Sequence, residues 1–329
     1  MSMLTPGKIR GLQQISTPGG VLAICAMDHR GSMAEMLNKV RPGSGTYSAI
    51  VERKLELCSI LAPHATGVLL DPEYGAAQCI AAGALPGDRG LLVSIETSGY
   101  SGTSEARLTT LLENWGVDRI RKLGASAVKI LVYYRPELRE TADKQLDVIK
   151  RVAVDCERHD IPLLVEAVGY RIAGETAVDL AKKRPDIVIE TARQITALPA
   201  DVLKAEFPAD VRDSTGEGEL LLRCQRLSEA SRLPWVVLSG GVDYETFFRQ
   251  VGIACRGGAS GFLGGRAIWQ EAVAMEDKGE RVKFLSTVVV DRVKRLVEVT
   301  AKYGLPWYRK LGLDGGKLAE IAEGWYKRY

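Results

Sequence analysis

The stretch Asp201-Val-Leu-Lys-Ala-Glu-Phe-Pro208 carries a lysine and a glutamate inside an otherwise apolar run. As a β-strand it places Lys204 and Glu206 on one face and Leu203, Ala205 and Phe207 on the other, because side chains alternate along a strand. Burying an ammonium group is unfavourable unless the group is paired or loses its proton. An uncharged lysine amine is also the nucleophile that forms Schiff bases with ketones. Lys204 is therefore a candidate nucleophile on a buried strand.

Apolar runs that end in polar or charged residues recur along the whole chain. Segments with helical spacing separate these runs, and such an alternation of strands and helices is typical of a parallel sheet. The predicted strands cover residues 21–27, 66–70, 90–95, 127–134, 161–165, 201–208, 233–238 and 259–263. Eight such units predict a closed (β/α)8 TIM barrel rather than an open sheet. No linker rich in Pro, Gly or Ser divides the chain, so residues 1–329 are predicted to form a single domain.

Both ends of the chain add helices to the predicted barrel. Thr5 followed by Pro6 is typical of the start of a helix, and a helix that runs to Ile15 would form a lid before the first strand. Residues 280–329 are predicted to be helical and charged, and to complete the outer ring of helices or to form a dimer surface. We expect a homo-oligomer, a dimer or larger.

The composition is that of an ordinary soluble globular protein, with 46% hydrophobic and 26% charged residues. A net charge of +3 gives no reason to expect nucleic acid or an acidic membrane as a partner. No apolar run approaches the ~18 residues of a membrane span, and the segment Met1–Arg10 lacks the apolar centre of a signal peptide. The six cysteines show no C-x-x-C spacing. We predict a cytoplasmic protein with reduced, buried thiols.

Polar residues at the ends of the predicted strands are candidates for catalysis, because barrel enzymes place their chemistry at the C-terminal ends of the strands. These residues are Asp28, Asp71, Glu96, Lys129, Glu166, Lys204, Glu206, Ser239 and Arg266. A structural ion pair is the simpler explanation for any one of them alone. Two lysines with several acids instead favour a catalytic site, in which Lys204 attacks a carbonyl and Glu166 or Asp28 transfers protons. In the fourth strand, the alternation of β-branched residues turns Lys129 away from the helices.

Two glycine-rich turns after the seventh and eighth predicted strands form a candidate phosphate site. Backbone N–H groups and helix N-termini can approach an oxyanion there, and barrels usually bind phosphate at this position. The turns are Ser239-Gly240-Gly241 and Gly264-Gly265-Arg266, and Arg266 adds a positive charge. Arg30, together with His29, offers a second anion contact on the opposite side of the mouth. A solvated surface charge is an equally good explanation for Arg30.

The histidines give no candidate for a zinc site. Catalytic zinc needs several histidines at the mouth of the barrel, whereas the chain has His29, His64 and His159 only. The last two precede predicted strands, so they are expected at the opposite face. Carboxylates at the ends of the first three strands could hold magnesium, but their spacing does not demand it. We predict neither a metal nor a cofactor.

The motifs at the strand ends are similar to those of the class I tagatose 1,6-bisphosphate aldolase family. They are Ala26-Met-Asp-His-Arg-Gly31, Leu70-Asp-Pro-Glu-Tyr-Gly75, Val128-Lys-Ile-Leu131, Asp201-Val-Leu-Lys-Ala-Glu206, Leu238-Ser-Gly-Gly241 and Gly265-Arg-Ala-Ile-Trp269. Together they cover residues 20–270, which is the whole predicted barrel. The resemblance implies a metal-independent aldolase that acts on a sugar phosphate, with Lys204 forming the Schiff base to dihydroxyacetone phosphate.

The resemblance also implies roles for the other residues at the mouth. Glu166 matches the acid/base of the family, and Lys129 matches a lysine that assists it. The aspartate and arginine that follow the first strand match Asp28 and Arg30. The serine and arginine that bind phosphate in the last two loops match Ser239 and Arg266.

Two departures from this family leave the chemical identity of the far end of the substrate undetermined. His29 stands where the family often has glutamine, and residues 208–217 are short for a tagatose enzyme. Related aldolases that cleave 6-deoxy-6-sulfofructose 1-phosphate look similar around residues 235–269, so this sulfonate is an alternative substrate. A non-catalytic sugar-phosphate sensor would keep the phosphate loops, although intact catalytic residues argue against it. A phosphate-binding isomerase would need no amine nucleophile.

Overall fold

Eight parallel strands form a closed barrel in the computed structural model, which describes residues 4–210, 216–327 and 329. The barrel strands are β1 (Leu22–Ala26), β2 (Gly67–Leu70), β3 (Gly90–Ser94), β6 (Ala127–Tyr133), β7 (Leu163–Val168), β8 (Val202–Ala205), β9 (Trp235–Leu238) and β10 (Gly261–Gly264). Around the barrel they follow the order β1, β10, β9, β8, β7, β6, β3, β2. The predicted TIM barrel is confirmed, and each predicted strand lies within a few residues of an observed one.

Helices surround the barrel and connect its strands. They are α1 (Pro6–Gln14), α2 (Gly31–Val40), α3 (Tyr47–Leu61), α4 (Ala76–Ala81), α5 (Val117–Lys122), α6 (Arg139–Arg158), α7 (Ala177–Ile195), α8 (Glu217–Ala230), α9 (Tyr244–Arg256), α10 (Arg266–Val273), α11 (Lys278–Phe284), α12 (Val290–Tyr303) and α13 (Trp307–Lys310). A π-helical turn at Leu285–Val289 joins α11 to α12, and short 3-10 turns lie at Ala62–His64 and Trp325–Lys327. None of the helices in the described residues is both long and apolar enough to cross a membrane.

The strand side chains divide between two cores. One side of each strand points outward and packs under the helices, as do Val128, Ile130 and Val132 of β6. The other side points into the barrel, where leucines from several strands form a second apolar cluster. Because side chains alternate along a strand, Lys129 points into the barrel, as predicted. The same alternation turns Lys204 inward while Leu203 and Ala205 pack outward.

The N-terminal helix α1 closes the bottom of the barrel. Leu12 and Ile15 are completely buried against the inner apolar cluster, together with Trp307 from α13. Lys8 of α1 forms a buried ion pair with Asp201, which immediately precedes β8. The polar cavity described below lies at the opposite end, where the strands have their carboxyl termini.

The predictions for two histidines and for the cysteines are confirmed, and α9 begins at a capping residue. Asp243 caps α9, since its carboxylate accepts a hydrogen bond of 2.9 Å from the backbone N–H of Thr246. His64 lies just before β2, and His159 follows the last residue of α6, just before β7, so both lie away from the mouth. All six cysteines are buried free thiols.

Other details differ from the prediction. The C-terminal segment is helical only in part: α12 packs against α9 and α3 in the outer ring, whereas residues 311–324 form turns and a short bridge. Gly312, Gly315 and Gly316 explain this, because glycine is a poor helix former. The structure also contains α2, α4 and a hairpin, formed by β4 (Ser101–Thr103) and β5 (Ala106–Leu108), which the sequence pattern did not predict.

Candidate active site

A cavity of about 460 Å³ opens at the carboxyl end of the barrel. Its walls contain the four predicted catalytic residues, Lys204, Glu166, Lys129 and Asp28. The residues of the predicted phosphate site that line the same cavity are Arg30, His29, Ser239, Gly240, Gly241, Gly265 and Arg266. The fold thus brings together residues that are more than 200 positions apart in the sequence.

Lys129 lies at the centre of a buried ionic cluster. Its Nζ atom is 2.8 Å from Asp28 Oδ2, 2.6 Å from Glu96 Oε1 and 3.0 Å from Glu166 Oε2. Burial lowers the pKa of this lysine, but the three carboxylates outweigh burial and raise its pKa well above the ordinary value. Lys129 is therefore a fixed ammonium group that holds the three carboxylates in place.

Glu166 bridges the two lysines of the site. Its Oε1 atom is 2.8 Å from Lys204 Nζ, while its Oε2 atom contacts Lys129. The pairing of β7 with β8 sets Glu166 directly beside Lys204. Burial raises the pKa of Glu166, but the nearby lysines lower it further than burial raises it, so the carboxylate is ionised. An ionised carboxylate in contact with an amine can exchange a proton with that amine or with a substrate bound to it.

Glu96 is the residue of this cluster that the sequence indicated least clearly. It ends the apolar run of the third strand, but no motif assigned it a role. Glu206 differs from it, because its carboxylate accepts a hydrogen bond of 2.7 Å from the backbone N–H of Gly169 and pairs with Arg184. Glu206 therefore joins the loop after β7 to helix α7, beside Lys204. Asp71, another strand-end candidate, is fully buried in an ion pair with Lys54.

The two glycine-rich turns meet on one side of the mouth. Gly240 and Gly241 have φ angles of 57° and 78°, which favour glycine, and a β-carbon at Gly241 would lie 3.1 Å from Arg266 Nη2. The backbone N–H of Gly265 points toward Ser239 Oγ at 3.4 Å. This arrangement brings a hydroxyl group, backbone N–H groups and a guanidinium group to one place, which suits a phosphate.

Gly264 does not face the cavity as predicted, and Arg30 is not a surface charge. A β-carbon on Gly264 would lie 2.5 Å from the Phe247 ring, so this residue faces the helix layer rather than the cavity. Arg30 is 7% exposed, and its guanidinium donates hydrogen bonds of 2.7 Å to Glu73 Oε2 and to the backbone oxygen of Glu96. The explanation of Arg30 as a solvated surface charge is therefore wrong.

His29 is a neutral imidazole at the edge of the site. Burial lowers its pKa to about 4, with further lowering by Arg266 and Lys204, although the neighbouring Asp28 opposes this. Its ring packs edge-on against Trp269, with 5.1 Å between ring centroids. No described residue forms a hydrogen bond with its buried Nδ1 atom. His29 can therefore exchange a hydrogen bond with a ligand, but it does not add positive charge to an anion site near neutral pH.

The pKa of His29 predicts a loss of stability in acid. Between about 6.5, the ordinary value, and about 4, the unfolded chain binds a proton that the folded chain does not, so stability falls as the pH drops through this interval. We expect this group to contribute a loss of about 2 kcal/mol between pH 7 and 4.5. Urea denaturation at both pH values should show a smaller loss for His29→Gln than for the wild type or for the control His159→Gln. Equal losses in all three proteins would contradict the assignment.

The carboxylates of the mouth are arranged around an ammonium group. Among the described residues, no group of three His, Cys, Asp or Glu side chains is arranged to hold a metal ion. In the ionic cluster, the position between Asp28, Glu96 and Glu166 is filled by Lys129.

Comparisons with known proteins agree with this architecture and with the predicted resemblance. Residues 22–271 match the model of the DeoC/LacD family aldolases. A tagatose 1,6-diphosphate aldolase from Lactococcus lactis subsp. lactis is 32% identical over 328 residues, which covers 94% of this chain and 100% of the relative. Tagatose 1,6-diphosphate aldolase 2 from Enterococcus faecalis is 32% identical over 335 residues, with 96% and 100% covered.

Solved structures share the fold at lower sequence identity. Fructose-bisphosphate aldolase from Plasmodium falciparum superposes with a TM-score of 0.71 at 14% identity, covering 93% of this chain and 98% of the other. A Schiff-base-forming fructose-1,6-bisphosphate aldolase superposes with a TM-score of 0.57 at 19% identity, covering 88% and 98%. Because the family model matches most of the chain and the relatives align over nearly its full length, the chain belongs to the DeoC/LacD family of aldolases, which are lyases.

Proposed function

We propose that this aldolase is a class I, Schiff-base enzyme that cleaves a ketose 1,6-bisphosphate to dihydroxyacetone phosphate and glyceraldehyde 3-phosphate. The observation that carries the proposal is the distance of 2.8 Å between Lys204 Nζ and Glu166 Oε1, inside the cavity that the phosphate loops also line. A buried amine beside an ionised carboxylate is the arrangement that Schiff-base chemistry requires.

In the proposed mechanism, Lys204 attacks the C2 carbonyl of the ketose and Glu166 transfers the protons. Glu166 first takes a proton from the Lys204 ammonium group, and attack by the free amine forms a carbinolamine once a proton has moved from its nitrogen to its oxygen. Glu166 then returns its proton to the carbinolamine hydroxyl group, which leaves as water to give the iminium. The C3–C4 bond then breaks: its electron pair moves toward the iminium nitrogen to give an enamine, and an ionised carboxylate of the cluster takes the O4 proton as the aldehyde forms. Lys129 supports these steps electrostatically, because its ammonium fixes Asp28 and Glu166 at the reacting centre.

The phosphate on C1 is assigned to the loops after β9 and β10. Ser239 Oγ, the backbone N–H groups of Gly240 and Gly265, and the Arg266 guanidinium would supply its hydrogen bonds, with Gly241 leaving room for Arg266. Because β8 is the neighbour of β9, a phosphate held there brings the adjacent C2 carbonyl toward Lys204. Binding of the C1 phosphate would thus orient the carbonyl for attack.

Tagatose 1,6-bisphosphate is the substrate we propose first, because the curated relatives are named tagatose 1,6-diphosphate aldolases. The sulfonate 6-deoxy-6-sulfofructose 1-phosphate shares the C1 half, so the chemistry proposed at Lys204 applies to both. The short segment 208–217 bears on this choice, but residues 211–215 lie outside the described residues. Turnover should be compared for tagatose 1,6-bisphosphate, fructose 1,6-bisphosphate and the sulfonate, and a clear preference for the sulfonate would replace the first proposal.

Borohydride trapping tests the mechanism. Incubation with dihydroxyacetone phosphate followed by reduction should attach a stable adduct to Lys204, which peptide mass mapping would locate. The wild type should also keep its activity in a chelator. An adduct absent from Lys204, or activity lost to the chelator, would contradict a Schiff-base mechanism. Binding without turnover or adduct would instead favour a sugar-phosphate sensor.

A further inference from the structure

The carboxylate of Glu96 has one oxygen committed to the protein and one that is free. Oε1 accepts a hydrogen bond of 2.6 Å from Lys129, whereas none of the described residues forms a hydrogen bond with the buried Oε2. The residue is 4% exposed and lines the cavity at the mouth. A buried acceptor without a partner is destabilising, so such an atom in a cavity wall is a candidate for ligand binding.

The free oxygen is held in a fixed position. The backbone oxygen of Glu96 accepts a hydrogen bond of 2.7 Å from Arg30 Nη2, and an isolated antiparallel bridge joins Glu96 to Leu111. The side chain cannot swing away without losing its contact with the Lys129 ammonium. Oε2 is therefore a preorganised acceptor rather than the end of a mobile side chain.

The strand order indicates which part of a bound ketose this acceptor faces. The residues of the site follow one another around the barrel, with the phosphate loops on β10 and β9, Lys204 on β8, Glu166 on β7, Lys129 on β6, and Glu96 after β3. A substrate with its C1 phosphate at β9 and β10 and its C2 atom at Lys204 directs the following carbons toward β6 and β3. Glu96 thus lies beyond the Schiff-base carbon, on the side of the half that leaves as the aldehyde.

We infer that Glu96 contacts the substrate and that its Oε2 atom accepts a hydrogen bond from the C4 hydroxyl of the ketose. This inference rests on the proposed aldolase function. Both oxygens of Glu166 already contact lysines, and Asp28 follows β1, which neighbours β10 on the phosphate side. Glu96 therefore supplies the acceptor on the aldehyde side, and it orients the hydroxyl whose proton leaves when the C3–C4 bond breaks.

The variant Glu96→Gln separates substrate contact from a purely structural role. An ammonium only donates hydrogen bonds, so the amide oxygen will face Lys129 and the NH2 group will occupy the position of Oε2, replacing an acceptor by a donor. Dihydroxyacetone phosphate lacks the aldehyde half and its C4 hydroxyl. We therefore expect the borohydride adduct at Lys204 to form as in the wild type, while kcat/KM for ketose cleavage falls by roughly 10- to 100-fold.

The control variant is Glu105→Gln, the same change at an exposed residue between β4 and β5 of the same β3–β6 connection, which should cleave the ketose normally. Normal cleavage by Glu96→Gln would overturn the inference. An equal loss of adduct and cleavage, with an unchanged thermal midpoint, would also overturn it, because Glu96 would then act only through Lys129. Failure of the wild type to form any adduct would instead overturn the proposed function itself.

Discussion

Replacing Lys204 by methionine is expected to lower ketose cleavage by at least about 10⁴-fold, because the amine that forms the covalent intermediate is lost. Folding should survive the change. Methionine is close in size to lysine, and Glu166 keeps its second contact, 3.0 Å from Lys129, so no carboxylate is left without a cationic partner. The measurements are the release of dihydroxyacetone phosphate in a coupled assay and the thermal midpoint of unfolding.

Lys144→Met is the matched control for this variant. Lys144 is an exposed residue of α6 that pairs with Glu140 on the helix surface, and surface pairs of this kind contribute little. Its activity should equal that of the wild type. If Lys204→Met kept full activity, the amine would have no part in the reaction, and a phosphate-binding isomerase would become the better explanation for the same cavity.

The sequence was sufficient for the barrel and for the positions of most charged residues. Lys129 and Lys204 stand out because each interrupts an apolar strand, and period-two alternation is enough to turn both of them inward. The phosphate turns could also be found from the sequence, because glycine-rich loops after the last two strands of a barrel often bind phosphate. These inferences need only local pattern and the rule that barrel enzymes act at the strand ends.

Contacts between strands that are far apart in the sequence could not be predicted from local patterns. Glu96 reaches Lys129 because β3 pairs with β6, and the β4–β5 hairpin and α5 separate these two strands in the sequence. The neutral state of His29 depends on burial beside Trp269, which belongs to α10. Gly264 could not be distinguished from Gly265 by composition, because only the register of β10 decides which of them faces the helices.

Replacing Lys129 by methionine is expected to damage both stability and activity. The change leaves Asp28, Glu96 and Glu166 close together in a buried site, with Lys204 as the remaining cation of the cluster. Removing one partner from a buried ion pair typically costs about 3–5 kcal/mol. Cleavage should also fall, because the carboxylates that the ammonium held in place will rearrange. Urea denaturation at pH 8 and the coupled assay measure the two effects.

The pH dependence of this variant follows from the same charges. In the wild type, Lys129 lowers the pKa of Asp28 and Glu166, which favours their ionised forms in the folded state. Without the ammonium, burial and mutual repulsion raise the pKa of these two carboxylates in the folded state above their unfolded values, so the folded chain binds more protons. The stability deficit of Lys129→Met relative to the wild type should therefore shrink as the pH falls from 8 to 5.5. Neutralising one acid in the double variant Lys129→Met/Glu96→Gln should recover part of the stability lost at pH 8. If neither the pH nor this second substitution changed the stability deficit, lost packing rather than unbalanced charge would be its cause.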